Sequence, residues 1–322
     1  MIAPFFPGDV NIASHPSVVF ADSYEDTMAA VVSRYDLGSQ NTQNCSLVND
    51  QPPGSVPNSL SLRMQNTGAT ATSLYKNLAN ISAAGWQELW VRCHLKYLGG
   101  GSWHHNGLWV GGQNPSSNFV PQTSDSVNPP PGDYTFYTGA EVGHPSALGF
   151  DCYTGWNLMH RLSGGQYFGN TFLAGQGKII LNSQQWYGVE LRLKLNAPNS
   201  ALNGELQIWV DDVERGNFGL NFPVGSWTEN IWSTAVGTTP FEGFRWRTVD
   251  PLTLNWVWLD HYTDGPATMW VDHLVVATER IGAMAPVGGV PLGPTAGTAG
   301  LAGTQARRVM GTVVTPRPVV SV

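Results

Sequence analysis

The stretch Glu88-Leu-Trp-Val-Arg-Cys-His-Leu-Lys-Tyr97 decides the fold class. Leu89, Val91, Cys93, Leu95 and Tyr97 are apolar, and Glu88, Trp90, Arg92, His94 and Lys96 alternate with them. Successive side chains of a strand point to opposite faces, so this period of two predicts one buried face and one outward face. Trp186-Tyr-Gly-Val-Glu-Leu-Arg-Leu-Lys-Leu195 repeats the design, with Tyr187, Val189, Leu191, Leu193 and Leu195 inward and Glu190, Arg192 and Lys194 outward. Cys93 falls on the inward side, where a thiol packs as a small hydrophobe.

Outward from these two strands the pattern continues. Residues 59–65, 206–210, 254–262 and 269–278 are further strand candidates, and Asn203-Gly with Asp211-Asp212 brackets a short strand as a hairpin requires. Convincing amphipathic helices of useful length are absent. The 322 residues include 37 Gly and 22 Pro, the punctuation of many turns. Charged residues make up 12%, about half the ~25% usual for soluble domains, so solubility falls to Asn, Gln, Ser, Thr and Gly. Together these features predict an all-β, two-sheet jelly-roll sandwich with one sizeable core. Residues 1–17, with three prolines, read as an N-terminal arm; 18–282 form the jelly-roll domain; and 283–322, rich in Gly, Ala, Thr and Pro, read as a low-complexity C-terminal arm.

Several classes of function are excluded. The formal net charge is −7, with no Lys/Arg-rich run, which argues against a nucleic-acid partner, because phosphate neutralisation dominates such binding. No stretch of about 18 apolar residues exists to span a membrane. The N-terminal Met-Ile-Ala-Pro-Phe-Phe-Pro has neither the basic nor the apolar region of a secretory signal. Cys45, Cys93 and Cys152 are three in number and lack metal-ligand spacing, so at most one disulfide is expected. Serine-nucleophile, phosphate-loop and dinucleotide motifs are absent, and Gly99-Gly-Gly101 precedes no helix, so it is a loop.

Phe150-Asp-Cys-Tyr-Thr, Gly165-Gln-Tyr-Phe-Gly-Asn170, Lys194-Leu-Asn-Ala-Pro-Asn199, Asn203-Gly-Glu-Leu-Gln-Ile-Trp-Val-Asp211, Pro240-Phe-Glu-Gly-Phe-Arg-Trp-Arg247 and Trp270-Val-Asp-His-Leu-Val-Val-Ala-Thr278 carry a family resemblance. Phe20-Ala-Asp-Ser-Tyr-Glu25 and Gly107-Leu-Trp-Val-Gly-Gly-Gln-Asn-Pro115 extend it upstream. Over roughly residues 20–282 the chain resembles the concanavalin A-like, laminin-G-like jelly-roll proteins of bacteria and their phages, which are related in fold to polysaccharide lyases. The resemblance speaks to fold more than to activity. The chain lacks both the acidic cluster of retaining glucanases and the Lys-x-Gly-x-Tyr-Asn-Gln block of alginate lyases, of which Gly165–Asn170 is a distant echo.

Three constellations are candidates for function. The outward residues Trp90, Arg92, His94, Lys96, Arg192 and Lys194, with Trp109, suit an anionic polysaccharide, since rings stack on sugars and Arg pairs with carboxylates; the alternative is a solvated face with Glu–Arg pairs across strands. A β-elimination on a uronate needs a base, an acid and a carboxylate neutraliser. His160 or His104 as base, Tyr167 as acid and Arg245 as neutraliser make a complete set, drawn from a wider group that includes His105, Glu141, Arg161 and Arg247; Arg245 and Arg247 around Trp246 have a structural alternative. Jelly rolls of this kind often tie first strand to last through calcium, and Asp22, Glu25 and Asp272 are the oxygen ligands available for such an ion. Trp90, Trp103, Trp109 and Trp156, on polar faces or in Gly-rich loops, are the tryptophans best placed to stack on sugars.

A glycan-type fold without an export signal suggests a virion component, since virions leave by lysis. The expected function is therefore a capsid or tail decoration protein that binds cell-surface polysaccharide. Its arms would mediate assembly as a homo-oligomer or with other virion proteins, placing it in the virion or outside the cell. The alternative is a polysaccharide lyase acting on uronic-acid glycans, and a third reading is a secreted binding module whose signal has been replaced by Met1.

Overall fold

The structure is a computed structural model, and it describes residues 1–116, 127–143, 148–173 and 179–288. In chain order its strands are β1 (Val18–Asp22), β2 (Cys45–Val48), β3 (Ser61–Asn66), β4 (Thr70–Asn77), β5 (Glu88–Tyr97), β6 (Trp103–Gln113), β7 (Thr135–Gly143), β8 (Gly149–Gly155) and β9 (Asn170–Thr171). They continue as β10 (Ile179–Ile180), β11 (Trp186–Lys194), β12 (Glu205–Val210), β13 (Val213–Phe218), β14 (Val224–Thr228), β15 (Ile231–Ser233), β16 (Thr239–Pro240), β17 (Trp256–Thr263) and β18 (Ala267–Ala277). The first sheet runs β13-β12-β11-β5-β18-β3-β2, with β1 also on β18; the second runs β16-β14-β15-β9-β8-β7-β6-β17-β4, with β10 on β8. The fold is the expected all-β jelly-roll sandwich.

The alternation read from the sequence sets which faces meet. Leu89, Val91, Cys93, Leu95 and Tyr97 of β5 and Val189, Leu191 and Leu193 of β11 are buried in one core with Leu74, Leu108, Val110, Phe136, Ala140, Phe150 and Leu259 of the second sheet. Each of the Leu, Val and Phe side chains among them contributes about 1.5–3 kcal/mol when taken from water into the interior. β5 and β11 pair in register, Val91 opposite Leu191 and Arg92 opposite Glu190, so the polar members also share a face. The β12–β13 hairpin turns through Asp211 and Asp212, whose φ values of 51° and 60° give the twist a two-residue hairpin needs. All three cysteines are free and buried. Among the described residues no helix is long and apolar enough to cross a membrane.

Residues 1–17, expected to be an arm, lie on the outer face of the first sheet. Ile2 and Ala3 donate their N–H groups to Ile281 O at 3.1 and 2.9 Å, and Gly8 N–H donates to Ala285 O at 2.6 Å. Ile2, Ala3 and Ile12 bury themselves against Val275, Ala277 and Ile281, forming a second small core. Residues 289–322 of the expected C-terminal arm lie outside the described residues.

Candidate functional site

The outer face of the second sheet is aromatic. Tyr75, Trp109, Tyr137 and Trp256 are buried there together, with Tyr153 and Trp258 packed on them. Two of these rings have glycine as a cross-strand neighbour: Trp109 faces Gly139 between β6 and β7, and Tyr137 faces Gly155 between β7 and β8. A Cβ on Gly139 would come within 2.4 Å of the Trp109 ring, and one on Gly155 within 2.3 Å of Tyr137.

His105 shares this face with Gly107 and Trp109 by alternation, and one irregularity in β6 lies just beyond it. Across β6 and β17 the register moves from Tyr262 opposite His105 to Thr263 opposite Trp103, which leaves His104 as an extra residue in β6. Such a bulge reverses the facing of the residues beyond it. Trp103 therefore enters the core against Tyr97, at 5.4 Å between ring centroids, whereas His105 emerges above Trp109 and Tyr153, at 5.4 and 4.7 Å. His105 Nδ1 lies 2.9 and 3.1 Å from the two Glu141 oxygens, so it donates to the carboxylate and leaves Nε2 as the nitrogen available to a ligand.

His105, Glu141 and Tyr153 line a cleft of about 520 Å³ together with His104, Asp151, Phe168, Gly169, Thr171, Asn230 and Ile231. Its far wall is fixed through backbone. Asn230 Nδ2 donates to Gly169 O at 3.0 Å, and Thr171 N–H donates to Asn230 O at 3.0 Å. Asp151 Oδ1 accepts the N–H groups of Cys152, Phe172 and Leu173 at 2.6, 3.2 and 2.9 Å. His104 Nδ1 lies 3.0 Å from Asp264, and its ring stacks on Tyr262 at 4.5 Å.

The electrostatics follow from burial. Desolvation pulls the His105 pKa down, but Glu141, through charge and hydrogen bond, with Asp260 and Asp264 behind it, carries the net shift upward. Glu141 is itself raised by burial against the opposing pull of His105. Burial holds Asp260 well above the usual carboxylate range, and its Oδ1 has no hydrogen-bond partner among the described residues. Burial also raises the Tyr153 phenol, in part opposed by a hydrogen bond from the Gly169 backbone, so it stays protonated. A histidine oriented by a carboxylate beside a protonated tyrosine is an acid–base pair at the mouth of a cleft.

The glycan face expected on β5 and β11 needs correction. Arg92 is 2% exposed, ion-paired with Asp9 of the N-terminal segment, and donates to Gly282 O at 2.8 Å. His94 is buried edge-on to His273, at 5.8 Å between centroids. Lys96 is buried, paired with Asp50 and seated over the rings of Trp186 and Trp270. Arg192 is spent on Glu88, Glu205 and Gln207 and lies over Trp90 at 5.2 Å. Lys194 pairs with Glu205 at 3.0 Å and is 43% exposed in its side chain. The alternation holds, but residues 1–17 and 279–288 cover part of the face it points to, and carboxylates occupy the cations of the rest. Trp109 belongs to the opposite sheet, where it is 1% exposed beneath Tyr153 and His105 rather than open to a sugar. Trp103 and Trp156 are core residues.

His160, Tyr167 and Arg245 are not among the residues that line the cleft. His160 Nε2 lies 2.9 Å from Glu242 and its ring stacks on Trp227 at 4.1 Å, with Trp227 Nε1 donating to the same carboxylate. Tyr167 packs on the main core, and Arg245 adjoins Trp246, which stacks on Phe244 at 4.2 Å. Arg247 is structural, donating to the carbonyls of Asp250 and Leu252. Of the expected calcium ligands, Asp22 accepts two bonds from Arg34 at 2.9 and 3.0 Å, Glu25 accepts Leu60 N–H at 2.8 Å, and Asp272 accepts His273 N–H at 2.7 Å. Among the described residues no group of three or more His, Cys, Asp and Glu side chains is arranged for a metal.

His105 and Glu141 belong to the wider group drawn from the sequence, but their pairing and the partnership of Tyr153 do not emerge from it. The available signal is glycine alternating with rings at a spacing of two, as in Gly107-Leu-Trp109-Val-Gly111 and Tyr137-Thr-Gly139-Ala-Glu141.

Solved structures share this architecture. The chain matches the marine PL-14 alginate lyase from Aplysia kurodai with a TM-score of 0.54 and 11% identity, over 81% of this chain and 99% of that one. It matches the alginate lyase Aly36B with a TM-score of 0.50 and 13% identity, over 81% and 95%. At these identities the likeness is one of fold. No family model and no curated protein matches the sequence.

Proposed function

We propose that this chain cleaves a uronic-acid polysaccharide by β-elimination in the cleft on the outer face of the second sheet. The observation that carries the reading is His105, held through Nδ1 by Glu141 at 2.9 Å and packed against Tyr153 at the cleft. In the reaction His105 Nε2 takes the proton from C5 of the uronate, and the C5–H electron pair becomes the C4=C5 double bond. The C4–O bond breaks, and its oxygen takes the proton of the Tyr153 hydroxyl. Glu141 fixes the ring and stabilises the imidazolium formed. The likeness in fold to two alginate lyases supports a polysaccharide as ligand without choosing among sugars.

Recognition of a polysaccharide is common to this reading and to display on a virion; turnover separates them. Incubation with alginate, glucuronan and polygalacturonan in free-acid and esterified forms tests it. The reading expects growing ultraviolet absorbance from the unsaturated product, abolished in His105→Ala. A flat trace on every substrate, with retention on a glycan column intact, would return the protein to a binding role.

A further inference from the structure

The first sheet, opposite the one that carries the cleft, has a row of alternating rings and cations on its outer face. Trp186 of β11, Lys96 of β5, Trp270 of β18, Arg63 of β3 and Ser46 of β2 are successive cross-strand partners. Lys96 Nζ lies 4.9 Å from the centre of the Trp186 ring and 4.5 Å from that of Trp270, so one ammonium takes one face of each indole. Asp50 accepts both that ammonium and the Trp186 Nε1–H, the latter at 3.3 Å, which fixes the arrangement before any ligand arrives. Lys96 is 5% exposed whereas both indoles are only half-buried, so the rings shield the ammonium and turn their second faces outward. Arg63, also half-buried, donates Nε–H to Ser46 Oγ at 3.2 Å and has no carboxylate partner among the described residues. Beside the row Leu98 is 40% exposed, and Gln65 and Thr268, opposite each other, line a hollow of about 460 Å³ with the Gly99–Gly101 loop.

We infer that this row is a second polysaccharide-binding surface, which takes a uronic-acid chain lying across the strands. Trp186 and Trp270 are two strand spacings apart, about 9.5 Å, the length of roughly two sugar units. Alternate pyranose rings of one chain can therefore stack on the two indoles, C–H groups against π faces. Arg63, one strand farther on, meets the carboxylate of a following unit, and its two terminal nitrogens take the two oxygens as a fork. A neutral glucan would satisfy the rings and leave the guanidinium unused, so charge selects an acidic chain. The surface differs from the face expected on β5 and β11: Lys96 here positions the rings, and the charge that meets the ligand belongs to Arg63. Holding the polymer at this row is independent of elimination in the cleft.

The test uses the His105→Ala protein, in which nothing is cleaved, and reads binding alone, so its outcome is separate from that of the turnover assay. Alginate oligosaccharides titrated into isotope-labelled protein are expected to shift the indole N–H resonances of Trp186 and Trp270. Resonances that stay in place at saturating alginate overturn the surface. Trp270→Ala is expected to raise the Kd for alginate by about 3–10-fold; should that variant unfold, the resonances of the His105→Ala protein still decide. Arg63→Gln, which keeps a donor for Ser46, is expected to weaken alginate binding about tenfold and to flatten its salt dependence. A folded Arg63→Gln protein with unchanged affinity and salt dependence overturns the acidic occupant. So does a neutral dextran that shifts the same two indole resonances at equal affinity.

Discussion

Asp9, from the N-terminal segment, closes on the guanidinium of Arg92 at the centre of the first sheet, and both side chains are almost wholly buried. Arg92 is therefore an internal group whose partner lies far away in sequence. Removing Asp9 leaves the Arg92 guanidinium out of water with only Glu190, its cross-strand neighbour, and the Gly282 carbonyl to offset its charge. Asp9→Ala is expected to lower the unfolding free energy by about 3–5 kcal/mol in urea titrations. The double change Asp9→Leu with Arg92→Met should recover most of the loss. Equal stability of wild type and Asp9→Ala would mean that the segment contributes little to holding the sheet.

His105→Ala and Tyr153→Phe address the cleft. Each removes a proton-transfer group, and each is expected to reduce kcat by about 10²–10⁴-fold while the melting temperature stays near that of wild type. Tyr153→Phe is the sharper probe because the ring, and with it the packing on Trp109, is kept. A fully active Tyr153→Phe protein would remove tyrosine from the acid role.

Dependence on pH comes from the upward shift of His105. The base works in its neutral form, so the rate rises with pH through the histidine pKa, and the acid limb of kcat/KM should lie above the ordinary imidazole value of about 6.5. Glu141→Gln removes the carboxylate chiefly responsible for that rise. Its acid limb is expected to move to lower pH, with a lower plateau because the ring is held less firmly. An acid limb that stays in place would assign Glu141 a purely structural role.

The glycines beneath the rings give a test of the floor. Gly139→Ala sets a Cβ 2.4 Å from the Trp109 ring, and Gly169→Ala sets one 2.1 Å from the Tyr153 ring. Such overpacking costs about 1–3 kcal/mol. Calorimetry should find Gly139→Ala less stable by that amount. Gly169→Ala should lose proportionally more activity than stability, because it moves the tyrosine away from the cleft.

Much of the fold is legible in the two alternating stretches, because the core of a sandwich is written in the same period as its strands. The pairing of β5 with β11 and the turn at Asp211-Asp212 agree with local pattern alone. The outward cations mislead because periodicity assigns Arg92 to a face but says nothing about what later covers that face. Its cover, residues 1–17, has no period of its own and owes its place to contacts with residues 280–285, distant in sequence. The candidate site is hidden for a different reason. His105 keeps the alternation of Gly107 and Trp109, but its partners Glu141 and Tyr153 come from neighbouring strands, and no single stretch of sequence records that juxtaposition; the extra residue His104 breaks the count only beyond it, where Trp103 turns inward. On β6 and β7, moreover, both faces lack charge over long runs, so polarity does not separate inside from outside.

The rings seated on glycines also constrain how this surface can change over time. A methyl group under any of them is blocked while the ring is in place, yet once the ring is lost the glycine is free to vary. Substitutions on this floor thus have an obligatory order, ring first and glycine second, and departures from it should be scarce in any lineage that keeps the cleft.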